Sequence, residues 1–145
     1  MNDKTGDLSR FVKAQEPVYG TVLQELRNGK KRTHWMWFIF PQLEGLGHSF
    51  MATHYGIKNI EHAAAYLRHP ILGSRLKECT RTMNSFEGKS AHDILGGPDE
   101  MKFRSSMTLF KHAASSGGVF AAALEKYFDG EEDELTLAKL NSAQR

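Results

Sequence analysis

Six consecutive apolar residues, Trp35-Met36-Trp37-Phe38-Ile39-Phe40, follow closely on three cations, Lys30-Lys31-Arg32. This junction constrains the fold more than any other stretch. The rings must be buried while the ammonium and guanidinium groups must stay wet. A buried strand suits such a run of aromatic and aliphatic residues. A lone strand, however, leaves its backbone polar groups unpaired, and no second alternating run occurs in the 145 residues. The helix is therefore favoured, with Thr33 as its N-cap and Pro41 as its stop. Gln42 to Ser49 then reads as a glycine-bearing loop.

The rest of the chain is punctuated at short intervals by proline and glycine. Residues 1–7 are polar and read as frayed or disordered, and Leu8 to Ala14 suggests one or two helical turns. Pro17 opens a helix that carries Val18, Val22, Leu23 and Leu26 on one face and closes at Asn28-Gly29. Asn59 caps a helix through Arg68. Pro70 restarts the chain, and Leu72, Leu76, Cys79 and Met83 form the next stripe. Ser90 and Asp93 resemble a short capping box, stopped at Gly96-Gly97. Pro98-Asp99 opens a helix with Phe103, Met107, Phe110 and Ala114 on one face. Val119 to Phe128 and a last helix from Asp133 follow. The pattern predicts an all-α, compact single-domain multi-helix bundle over 1–145, with at most one incidental pair of short strands. Phe103, Met107, Phe110, Leu124 and Leu76 are its expected core.

Charge and composition exclude several function classes. A net charge of +2 is too small to create the basic field that drives non-specific nucleic-acid binding. Recognition of an anion must be local. The single cysteine, Cys79, leaves no intrachain disulfide and points to a reducing compartment, the cytoplasm. Residues 1–10 do not resemble a signal peptide, and no apolar run is long enough to span a bilayer. The seven histidines include no pair three or four residues apart, so neither a metal nor a cofactor is expected.

The candidate site centres on residues 30–49. A helix N-terminus disfavours nearby cations unless an anion docks at its free N–H groups. Lys30 and Arg32 then read as an anion clamp, Arg32 in bidentate geometry; the alternative is a solvated loop after a helix C-terminus. On a helix Trp37 leaves the face shared by Trp35, Phe38 and Ile39, which frees it to stack on a flat ligand. Gln42, Gly47, His48 and Ser49 lie in the loop, which lacks the lysine ending of a phosphate loop. Lys102 and Ser105 fall off the Phe103/Met107 stripe and suit polar ligand contacts. Together these residues suggest binding of a small anionic aromatic ligand, a nucleotide or ADP-ribose-like molecule. Hydrolysis of its N-glycosidic bond would need a carboxylate near the developing positive charge and a positioned acid. Glu44, Glu61 or Asp99 could fill the first role, and His34 or His48 the second. The alternative is a non-catalytic module that binds a protein or single-stranded nucleic acid through the same segment.

Three stretches carry a family resemblance: Thr33 to Leu43, Tyr66 to Leu76 and Asp99 to Phe110. They resemble the bacterial family catalogued as domain of unknown function 1810, over about Phe11 to Leu140. The resemblance implies a compact, mainly helical fold and no assigned activity. Glu61-His62-Ala63-Ala64-Ala65, with His69-Pro70-Ile71-Leu72, is more remotely similar to the NADAR family of ADP-ribose-related proteins. The chain departs from that family after Glu61-His62, where Ala64, Ala65 and Leu67 replace its glutamine and lysine.

Overall fold

The chain alternates short helices with capped turns, as its stops dictate. The computed structural model describes residues 7–116 and 118–143. Its helices are α1 (Ser9–Gln15), α2 (Tyr19–Arg27), α3 (Met36–Ile39), α4 (Phe50–His54), α5 (Ile60–Arg68), α6 (Leu72–Asn84), α7 (Ala91–Leu95), α8 (Asp99–Ala113), α9 (Gly118–Phe128) and α10 (Glu134–Ala143). The fold is all-α. Among the described residues the only β-pairing is an isolated parallel bridge between Leu43 and Ile57. Of the expected frayed stretch, residues 1–6 lie outside the described residues; Asp7 accepts hydrogen bonds from the backbone and hydroxyl of Ser9.

Helix starts follow local chemistry. Asn59 accepts from the His62 N–H at 2.8 Å and so caps α5. Ser90 and Asp93 form a reciprocal capping box on α7, and Asp133 accepts from the Thr136 N–H at 2.9 Å at the start of α10. These bonds satisfy donors that a helix N-terminus otherwise leaves free. Ser49 caps α4, a short helix that the sequence pattern does not announce.

α8 lies at the centre and packs against α3, α5, α7, α9 and α10. Every residue from Ser105 to Phe110 is buried, and so is Phe103. A helix buried nearly all round is a core helix. The Phe103 ring meets Phe40 edge-on at 4.9 Å, and Phe110 lies 5.4 Å from Tyr66 and 5.9 Å from Phe120. All five expected core residues are fully enclosed. α5 and α6 meet tightly at Gly73, where an added Cβ would lie 2.1 Å from the Leu67 carbonyl oxygen. Only glycine permits that approach.

One local expectation is corrected. The run Trp35–Phe40 is helical only over Met36–Ile39, and Trp35 rather than Thr33 occupies the N-cap. The Thr33 hydroxyl donates elsewhere, to Glu25 at 2.7 Å. A threonine can cap a helix or bond a nearby carboxylate, and here the carboxylate wins.

Candidate functional site: the pinned basic loop

Gly29 turns the chain out of α2 with φ +72. The loop that follows folds back over Glu25, a buried carboxylate on the inner face of α2. Glu25 accepts the backbone N–H of Arg32 at 2.8 Å and of Thr33 at 3.1 Å, the Thr33 hydroxyl, and the Trp35 indole N–H at 2.9 Å. Burial pushes the Glu25 carboxyl up, but the bonds from Arg32, Trp35 and Thr33 outweigh it and hold it down at about 2. Hydrogen bonds to the charged form act in that direction. Glu25 thus engages the backbone N–H groups of the loop just before α3, not those of the first turn of α3.

Lys31 turns inward. Its N–H donates to the Ile94 carbonyl at 2.7 Å, and its ammonium lies 2.9 Å from Asp99 and 5.1 Å from the Trp35 ring centroid. Asp99 also faces the Lys102 ammonium at 3.7 Å. Lys102 in turn lies 5.4 Å from the centre of the Trp37 ring, a cation–π placement. From Trp35 to Pro41, Trp37 is the one residue that is not buried. The helical spacing that separates it from Trp35, Phe38 and Ile39 therefore shows in the fold. Lys30, Arg32 and His34 are exposed. Among the described residues none of these three side chains forms an ion pair.

The other expected site residues lie in different surroundings. Gln42 and Glu44 bracket the bridge at Leu43: the Gln42 carbonyl accepts from Ile57, and the Glu44 N–H donates to Ile57. Glu44 is exposed and lines a shallow groove with Lys58, Asn59 and Lys139. His48 lines a second groove with Leu135 and Lys139 of α10. Gly47 sits against Ala52, and the Ser49 hydroxyl is used as the α4 cap. Ser105 is buried, with its hydroxyl on the Met101 carbonyl. Among the described residues no hydrogen bond or ion pair joins Glu44, His34 and Asp99 to one another. The chain therefore brings Lys31, Trp37, Asp99 and Lys102 together and leaves residues 42–49 as a separate loop against α10.

A family model described as "Protein of unknown function (DUF1810)" matches residues 5–140. The chain belongs to that family. The crystal structure of the conserved hypothetical protein Rv1873 from Mycobacterium tuberculosis is similar to this DUF1810 chain, with 54% identity and a TM-score of 0.92. The match covers 93% of this chain and 96% of the mycobacterial one. No curated protein matches.

In the DUF1810 chain, the Glu61-His62 pair behind the remoter NADAR likeness begins α5. His62 is buried and its Nδ1 accepts the Lys58 N–H at 3.0 Å, while Glu61 is exposed. Among the described residues no three potential metal ligands cluster, and no helix is long and apolar enough to cross a membrane. Glu25 escaped the sequence reading, although a signal existed. It falls on the Val18/Val22/Leu26 stripe, where a carboxylate needs a buried partner.

Proposed function

We propose that this protein binds a small anionic aromatic ligand of nucleotide or ADP-ribose type on the surface made by Lys30, Arg32, His34, Trp37 and Lys102. The observation that carries the reading is the clamp of Glu25 on the loop. It fixes the backbone from which Arg32 and His34 project, so little ordering remains to be done when a ligand arrives. Trp37 supplies a partly open ring for stacking, and Lys102 sets a positive charge over it. We take the chain to act as one domain in the cytoplasm, a reading that its single cysteine supports.

Binding is preferred to N-glycosidic hydrolysis. Such hydrolysis needs its carboxylate and its acid at one place, and among the described residues no hydrogen bond or ion pair joins Glu44, His34 and Asp99. Asp99 is committed to two ammonium groups.

Titration with AMP and with ADP-ribose, read by tryptophan fluorescence, tests this proposal. Saturable quenching without hydrolysis products supports it. Unchanged emission at millimolar ligand contradicts it. Tighter binding of an oligonucleotide, lost steeply as salt rises, would favour the interaction-module alternative.

A further inference from the structure

A concavity lies at the far end of α8 from the basic loop. It encloses about 510 Å³ between α5, α6 and the α8–α9 junction. A volume of this order is ordinary for a small-molecule site. Among the described residues that line it are Arg68, Lys77 and Arg81, and no carboxylate. Among the described residues these three cations make no ion pair. Some cations elsewhere in the fold do find carboxylates. Arg75, on the same helix as Lys77, lies 3.0 Å from Glu16; Lys111 lies 2.7 Å from Glu132, and Lys126 lies 3.3 Å from Glu87.

The set concentrates positive charge at the mouth of the hollow. Lys77 and Arg81 are four residues apart on α6, a spacing at which like charges repel on one helix face. Arg68 of α5 adds a third positive charge to the same hollow. One multiply charged anion would relieve all three, and two guanidinium groups favour the oxygens of a phosphate over a single carboxylate. The first turn of α9, at Gly118 and Val119, also borders the hollow and contains no acidic residue. Leu67, Ala114 and Val119 give the remaining wall an apolar character.

We propose that this cavity is a ligand site separate from the basic loop, taking a small phosphorylated molecule whose phosphate lies among Arg68, Lys77 and Arg81 and whose apolar body lies against Leu67 and Val119. α8 spans 15 residues between the two places, about 20 Å of helix. The cavity therefore does not depend on the function proposed for the loop.

Amide chemical-shift mapping tests the assignment with two probes, pyrophosphate and ADP, at matched ionic strength. Pyrophosphate shifts should include Ser115, Ser116, Gly118 and Val119 as one set; ADP should also move Leu67, and shifts at residues 30–37 report the basic loop separately. The Arg68→Ala/Arg81→Ala double variant should lose about tenfold or more in affinity, and Lys77→Ala should lose less. Both changes are at exposed positions, and the spectra report directly whether the variants are folded. Arg32→Ala should leave the cavity titration unchanged. The assignment is overturned if saturating pyrophosphate leaves these amides unmoved, or if the double variant binds as tightly as the wild type. Shifts spread over every surface cation would also overturn it, as would tighter binding of an oligonucleotide than of ADP.

Discussion

The Trp35 indole N–H donates to Oε1 of Glu25 at 2.9 Å, and both side chains are buried. This pair joins the end of α2 to the start of α3 and encloses the basic loop between them. The carboxylate is held by N–H and O–H dipoles. It therefore leaves the positive charges of Lys30 and Arg32 available at the surface.

Removing the clamp should be costly. Glu25→Ala strands the Trp35 and Thr33 donors inside the protein and should lower stability by about 3 kcal/mol. Urea denaturation measures this. A loss below about 1 kcal/mol would mean that water or a rearranged loop replaces the carboxylate without strain.

The same group sets an acid dependence. Its folded value of about 2 lies below the ordinary 4.5, so its contribution is complete above about 4.5 and is lost as pH falls toward about 2. Glu25→Gln should be less stable than wild type at neutral pH, and the gap should narrow steadily on acidification. Parallel stability curves for the two proteins would show that Glu25 is not held in its charged form.

Phe110 packs between Tyr66 and Phe120 and is fully enclosed. Phe110→Ala should cost about 3–5 kcal/mol through lost burial and the cavity left behind. A denaturant melt changed by less than about 1 kcal/mol would remove Phe110 from the packed interior.

Cys79 should be chemically silent in the folded protein. Burial pushes its thiol up to about 12, against the opposing hydrogen bond to Tyr19. Thiolate is the reactive form, so a chromogenic disulfide reagent should react only after unfolding. Fast reaction of the native protein at mildly alkaline pH would mean that α6 opens locally.

Much of the helical order was legible because its signals are local. Asn59, Ser90 and Asp133 cap helices with partners three residues away, and the stripes of α6 and α8 need no knowledge of distant chain. The chemistry was less legible. Thr33 looked like a cap because a threonine before a helix offers the same hydroxyl whether it serves the helix or Glu25. Trp37 was separable from Trp35 by helical spacing, but the ammonium over its ring comes from Lys102 on α8. Arg68, Lys77 and Arg81 meet only because α5 packs on α6. Nothing in their spacing announces a shared hollow.

Calorimetric titration of ADP-ribose into wild type, Arg32→Ala and Trp37→Ala tests the central claim most directly. Both substitutions remove side chains outside the buried core, so melting temperatures should stay close to wild type. The account predicts saturable binding to the wild type and a loss of about tenfold or more in each variant, the scale of one charge-assisted bond or one stacked ring. Equal affinity in all three proteins, or no binding to any of them, would contradict it.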